Sequence, residues 1–474
     1  MKRIITNIAL HLLLSATYTP VLAQQQQFTT SGSFTTPEGV LSVKVECIGA
    51  GGAGGRVTSS NIFDKDAAGG GGGGAYASGI VHLSAGDQYP VIVGKGGKNE
   101  GSAIDGENSL FDTGAIVNAA GGKTRGGNDE EAGAEGGKAA HSIGQITYDG
   151  GNGGRGVEND ADGGGGGGAA GSLGRGIDGT TVNGGGNRAD YGGYGGNGGA
   201  DGAVGSAGGN YGGGGGGSSA NGGSTRNGGK GADGLVVITW SSLHDFNPKT
   251  LCGHGTVTLQ GNNLNATDSV SVNGQNVPFT VLSNNELSLT IDATNSTGAI
   301  IVYTQNGACT ISEELKIIGG TVQVTTTNNQ LSGNFSGGGS ISYQWYNCVT
   351  NTPVSNATQA SYSPEANGIY SVKITTEGCE FSSGCTPYTL LKADQITAET
   401  VSIYPNPAFD LLIIRSSASI RQFTIKDLNG KSCHEGSLHT DNAQINIGLL
   451  PQGCYFIEVL HENNTTITQL ILKQ

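Results

Sequence analysis

Gly69-Gly70-Gly71-Gly72-Gly73-Gly74 leads into Ala75-Tyr76-Ala77-Ser78, and the phrase returns twice. Gly163 to Gly168 precedes Ala169-Ala170-Gly171-Ser172, and Gly212 to Gly217 precedes Ser218-Ser219-Ala220-Asn221. Glycine is 88 of the 474 residues, and most of it lies between Gly49 and Gly234. A phrase repeated at long spacing points to a repeated structural unit. The competing reading is a flexible linker, because ordering each residue costs about 1–2 kcal/mol of backbone entropy and glycine has no side chain to bury. Two features oppose the linker. Apolar strand-like segments bracket the block, Val40 to Ile48 before it and Leu235 to Trp240 after it. Similar segments interrupt it at Ile80-Val81-His82-Leu83, Tyr89-Pro90-Val91-Ile92-Val93 and Ala115-Ile116-Val117. Without Cβ atoms, extended threefold helices rising about 3.1 Å per residue can lie close enough to hydrogen-bond to each other. The block is therefore predicted to be a β-framework carrying packed polyglycine II-like helices.

The segments Phe34-Thr35-Thr36-Pro37-Glu38-Gly39-Val40, Ile48-Gly49-Ala50-Gly51-Gly52-Ala53-Gly54-Gly55, Ala75-Tyr76-Ala77 and Val93-Gly94-Lys95-Gly96-Gly97 carry a resemblance. They are similar to the glycine-rich domains of phage tail adhesins and some cell-surface receptors, over roughly Phe28 to Trp240. The resemblance implies an adhesin-like head, with recognition on loops held by a rigid scaffold. The candidate ligand contacts are the aromatics set among glycines, Tyr148, Tyr191, Tyr194 and Tyr211. The same four could instead cap or pin the glycine bundle.

Charged residues are 13% of the chain and the net charge is −14. Phosphate backbones require a basic face, so a nucleic-acid partner is not expected. Lys2 and Arg3, the apolar run Ile4 to Leu14, and Val21-Leu22-Ala23 read as a secretory signal peptide over residues 1–23. That run is too short to span a bilayer, and no transmembrane segment is expected after its removal. Export permits disulfides. The eight cysteines form no CxxC pair, so zinc is not expected. Their spread predicts one bridge per module, with Cys252 to Cys309 as the first pairing. Partners among Cys348, Cys379 and Cys385 stay open.

Beyond the glycine-rich domain (28–241), Gly255 to Leu264, Val270 to Gly274, Leu287 to Ile291 and Ala299 to Thr304 alternate or run apolar between turns. Residues 243–318 resemble the immunoglobulin-like module of plexins and transcription factors, the IPT/TIG family. In 319–391, Trp345 followed by Gly368-Ile369-Tyr370-Ser371-Val372 is a β-sandwich core pattern, similar to the immunoglobulin-like repeats of bacterial surface proteins. Residues 392–398 read as a linker. In 399–474, four blocks stand in order. They are Val401 to Pro407 (with Tyr404, Pro405, Asn406 and Pro407), Phe423 to Lys431, Ile445 to Val459 (with Gly453 and Tyr455) and Ile467 to Lys473. They resemble the type A C-terminal sorting domain of the type IX secretion system of Bacteroidetes. This resemblance implies the type IX machinery as a partner, passage across both membranes, removal of the domain, and attachment to a surface polysaccharide or release. The chain is thus expected to be mainly β and multidomain, ending in three small β-sandwich modules.

Sites for chemistry are weak by comparison. Gly122-Lys123-Thr124 ends like a phosphate-binding loop, but Val117 stands where its first glycine belongs. Gly228 to Leu235 matches the calcium-binding nonapeptide once, and that motif works only in tandem. Neither a GxSxG elbow nor an HExxH pair is present. No catalytic residue, metal or cofactor is predicted, and an enzyme is not expected. The expected function is an exported, surface-attached or released adhesin-like protein. It would bind surface polysaccharide or a host or bacterial cell-surface ligand. The alternatives are a passive component of a surface coat or matrix and a carbohydrate-active enzyme.

Overall fold

The computed structural model describes residues 24–61, 63–126, 129–187, 191–390 and 399–474. The signal-peptide reading of 1–23 and the linker reading of 392–398 fall outside the described residues. The chain divides into two compact units, broken between Tyr388 and Thr389. Both are built of β-strands in small sheets.

The first unit opens with a five-stranded antiparallel sheet. Its order is Gln25–Phe28, Leu235–Thr239, Ser42–Ile48, Tyr76–His82 and Ile146–Tyr148. Facing it is a second sheet of Val117–Ala119, Ser109–Phe111, Gln88–Ile92 and Gly32–Thr35. Phe34, Val43, Val45, Val91, Phe111, Val236 and Ile238 fill the space between them. The Leu235-Val236-Val237-Ile238 run is apolar at every position because the sheet is covered on both faces. Val236 and Ile238 enter the sandwich. Leu235 and Val237 face the other way, onto Ile48, Tyr76, Ala169 and Ala170.

That second face carries the glycine bundle. The chain leaves the sheet at Ile48, runs out through Gly49 to Gly55, and returns through Gly69 to Gly74 to the strand starting at Tyr76. In this returning run the donors follow a threefold rule. Gly70 and Gly73 donate to Gly154 and Gly151, while Gly71 and Gly74 donate to Gly215 and Gly212. Gly72 donates to Lys123 and Gly69 to Glu130. One residue in three faces each neighbour, as a helix of three residues per turn requires. The three six-glycine runs bond to each other in a closed triangle. Gly71 donates to Gly215, Gly214 donates to Gly167, and Gly167 donates back to Gly71, at 2.8–2.9 Å. A helix surrounded on all sides has no direction left for a side chain, so its run is pure glycine. A Cβ on Gly167 or Gly71 would be driven into the carbonyl of Gly151 or Gly52.

Outer helices face solvent on one side, and there every third residue is free to differ. Gly150-Gly151-Asn152-Gly153-Gly154 and Gly195-Gly196-Asn197-Gly198-Gly199 show this triplet. The outward Asn is not idle. Asn152 Oδ1 accepts the Gly136 N–H at 3.0 Å and Asn197 Oδ1 accepts the Gly184 N–H at 3.0 Å. Asp149, Asp178, Asp105 and Asp233 accept the N–H groups of Ala139, Asn152, Thr124 and Gly96 in the same way. These carboxylates and amides satisfy donors that face outward, with no further helix beyond to accept them.

The next part of the unit is a pair of four-stranded sheets. One is ordered Ser242–Asn247, Gly255–Asn262, Glu286–Ile291, Phe279–Ser283; the other Gln275–Asn276, Thr267–Val272, Ile300–Thr304, Gly307–Thr310. Its edge is sewn to the glycine-rich part. Leu41 N–H donates to Ala308 O, Thr310 N–H to Gly39 O, and Lys44 N–H to Asn306 O. A third sandwich follows, in which Trp345 is fully buried and donates Nε1–H to Gln359 O at 2.9 Å. Trp345 is thus core.

The disulfides correct the sequence reading. Cys252 pairs with Cys379, not with Cys309, and Cys348 pairs with Cys385. Cys309 lies inside the second sandwich, in the core and in the strand sewn to Gly39–Lys44. Cys252 follows the inward Leu251 and therefore points outward. The bridge joins the second sandwich to the third, so the expectation of one bridge per module also fails.

The second unit is one sheet system in the order Val401–Tyr404, Leu411–Asp427, Gly453–His461, Thr466–Lys473, with Ser432–Asn446 also paired to the long Leu411–Asp427 strand. Leu412, Ile414, Ile425, Ile457, Val459 and Ile471 form its core.

Candidate functional site

Three of the four predicted contact tyrosines are structural neighbours of the sheet. Leu235, Ile48, Tyr76 and Tyr148 are directly opposite one another across four strands. They form one row on the face under the bundle. Tyr76 and Tyr148 rings stack at 6.2 Å. Tyr148, Tyr191 and Tyr211 are half-buried against this row and Ala169–Ala170. Tyr191 also accepts a hydrogen bond from Gln25 Nε2 at 3.2 Å. Tyr194 differs, with 64% of its surface exposed. The four do not converge on one site.

A part-buried polar pair joins the row to its neighbouring residue Glu46. Tyr76 Oη–H donates to Glu46 Oε1 at 2.5 Å, and Glu46 also pairs with Lys44 at 3.2 Å. Burial, then the hydrogen bond to Glu46, push the Tyr76 phenol far above its usual range. It stays neutral and donates.

The residues that imitated known motifs are occupied by the fold. Lys123 pairs with Asp105 at 2.8 Å, and Thr124 Oγ1 donates to Ile104 O while accepting the Ala53 N–H. Asp233 accepts from Gly96 N–H and Lys95 Nζ. Among the described residues, no group of three or more His, Cys, Asp or Glu side chains is placed to hold a metal ion.

Sequence reading missed the turn after Ala170. Leu173, Gly174, Arg175, Gly176, Ile177 and Asp178 line a shallow groove of about 400 Å³. Leu173 is 78% exposed, and Arg175 pairs with Asp178 at 2.6 Å. A leucine on a glycine turn with an Arg three residues before an Asp was the available signal.

In the second unit, Asn406, Gly453 and Tyr455 of the predicted sorting motif gather at one end of the sheet's last two strands. Tyr404 ends its strand with its ring under Arg415. Asn406 and Ala408 lie along the outer side of Thr466–Lys473. Gly453 opens the preceding strand, and buried Tyr455 donates to Pro451 O at 2.9 Å. Residues 402–473 match the secretion system C-terminal sorting domain. The chain carries a secretion sorting domain. This sorting domain marks the chain for export to the cell surface through the type IX system. Residues 29–241 match the glycine-rich domain family. Among the described residues, no helix is long and apolar enough to cross a membrane.

No curated protein matches the chain. Among solved structures, a crystal structure with a xylogluco-oligosaccharide is 11% identical over 49% of this chain and 60% of that one, at a TM-score of 0.21. The ICAM-5 D1–D4 ectodomain fragment is 9% identical over 50% and 76%, at 0.27. The Bacteroides ovatus mixed-linkage glucan utilization locus SGBP-B, in complex with a mixed-linkage heptasaccharide, is 14% identical over 46% and 70%, at 0.17. Scores this low carry no argument about the architecture or ligand of this chain.

Proposed function

We propose that this exported protein is an adhesin-like binder whose glycine-rich domain makes the contact, with the two sandwiches after it as spacers. One observation supports this most. The glycine bundle is held at the sheet by buried Tyr76 and half-buried Tyr148, Tyr191 and Tyr211, yet it leaves large apolar side chains in solvent on its turns and flank. These are Leu173 beside the Arg175–Asp178 pair, Tyr194, and Phe63 at 87% exposure. Burying such side chains returns roughly 1.5–3 kcal/mol each, which a free surface forgoes. An apolar edge beside a paired guanidinium and carboxylate suits a sugar ring, which offers a C–H face and hydroxyls. The ligand class is a surface polysaccharide.

The test is binding of the purified protein to bacterial, algal and host polysaccharides and cells. Saturable binding should be lost in a variant combining Leu173→Ser, Arg175→Ala and Tyr194→Ser, with an unchanged melting temperature. Binding that survives the variant moves the contact elsewhere. No binding, with self-association of the well-folded protein, would favour the passive coat.

A further inference from the structure

The last strand of the sorting domain, Thr466–Lys473, is an edge strand. Such an edge presents a row of unpaired N–H and C=O groups, which must be covered. Part of it is covered by a side chain. Asn406 Nδ2–H donates to Leu470 O at 2.8 Å, and Asn406 Oδ1 accepts the Leu472 N–H at 2.9 Å. These two bonds are the ones a backbone residue of a neighbouring strand would make. Two residues on, the main chain takes over. Ala408 N–H donates to Leu472 O at 2.8 Å and Ala408 O accepts the Gln474 N–H at 2.9 Å. Pro405 and Pro407 flank the asparagine and have no N–H, so Asn406 carries the one main-chain N–H between Tyr404 and Ala408, and it is the Asn406 side chain that meets the edge. The carboxamide has a donor and an acceptor at the spacing of a peptide group, and it fills that place.

We propose that Asn406 is a positioning residue for sorting. Its carboxamide stands in for a strand residue on the outer edge and fixes the final strand in the form the export machinery reads. The proposal rests on the sorting-domain assignment. Aspartate and leucine are close to asparagine in size, but neither reproduces the pair of bonds. Leucine makes none. An ionised aspartate sets an acceptor against the Leu470 carbonyl, and only its protonated form can donate there.

The experiment uses the full chain. In Asn406→Leu, hydrogen exchange at the Leu472 amide should quicken about tenfold, the scale of one to two lost hydrogen bonds. The Ile425 and Ile457 amides of the domain core should keep their protection. In cells, the variant should accumulate in the periplasm while its surface level falls. In Asn406→Asp, repulsion from the Leu470 carbonyl should draw the ionised side chain off the edge and take its acceptor from the Leu472 N–H, so protection of Leu472 relative to the parent at the same pH should be low at neutral pH. It should return as the pH drops through the carboxylate range, which a loss of general stability would not produce. Unchanged exchange at Leu472 in Asn406→Leu overturns the proposal. So does faster exchange with undiminished export. If the core amides of Asn406→Leu also open, the Asn406→Asp pH series decides: recovery in acid supports the role and its absence refutes it. A chain lacking Glu399 to Gln474 serves as control, because its arrival at the surface would refute the sorting reading itself.

Discussion

At the residue scale, one glycine is not equivalent to another. Gly71, Gly167 and Gly214 face each other in the central triangle, and a Cβ on any of them meets a backbone carbonyl. Backbone cannot move aside as a side chain can, so each Gly→Ala change there should cost about 3 kcal/mol or more. Gly32, whose Cβ would rest at 3.5 Å from the Phe28 ring, should accept alanine with little loss. Thermal melts of the set test this, and equal shifts would contradict the close-packed bundle. Asn152→Ala and Asn197→Ala should each cost about 1 kcal/mol, because each leaves an N–H without its acceptor. The thiols give a second reading of burial. Cys47 and Cys309 are buried, and burial pushes the Cys309 thiol up to about 12. Cys433 and Cys454 are exposed. A thiol reagent should therefore label Cys433 and Cys454 in the native protein and reach Cys47 and Cys309 only after unfolding. Rapid labelling of Cys309 would contradict its place in the core.

At the scale of elements, the Cys252–Cys379 bridge ties the Thr250–Cys252 strand to the Cys379–Ser382 strand. A Lys316–Glu377 pair stands nearby in the same region. Replacing Cys252 and Cys379 together with serine should leave each sandwich folded and loosen their connection. Limited proteolysis between them would then quicken, and the loop-closure entropy of so long a loop sets the fall in stability at about 5 kcal/mol at most. Proteolysis at the parent rate would show that the ion pair and packing suffice. In the second unit, Glu399 pairs with buried His461, whose other nitrogen contacts Ser416 Oγ at 2.7 Å. The Thr465 hydroxyl, with Asn463 and His461, holds the Glu399 carboxyl below its usual range. A lowered carboxyl pKa stabilises the fold above the ordinary carboxylate range. The gain is lost as pH falls through the lowered value. Glu399→Gln should flatten that acid limb of the unfolding profile, and an unchanged limb would assign it to other groups. Strand identity was legible in the sequence, since alternation marks Ile341–Asn347 and Gly368–Thr376 directly. Disulfide partners were not, because cysteine spacing does not say which strands end beside each other.

At the scale of the whole molecule, deleting Glu399 to Gln474 should trap the chain in the periplasm, measured by fractionating cells expressing it. Surface display of the truncated chain would remove the sorting reading. The sequence by itself determined the class of the molecule. Glycine runs without Cβ atoms can only be ordered by bonding to each other, and period-two strands must pack as sheets. Four ordered blocks near the chain end marked the sorting domain. Tertiary structure alone decided which six-glycine run meets which, since every run reads alike and only its neighbours differ. It also decided the fate of the tyrosines. Tyr148, Tyr191 and Tyr211 are aromatics among glycines just as Tyr194 is, yet strand register puts the first beside Tyr76, and chain return brings the other two onto the same buried face. Glycine follows each of these tyrosines within two residues. What separates a pin from an exposed ring is the long-range contact that covers it.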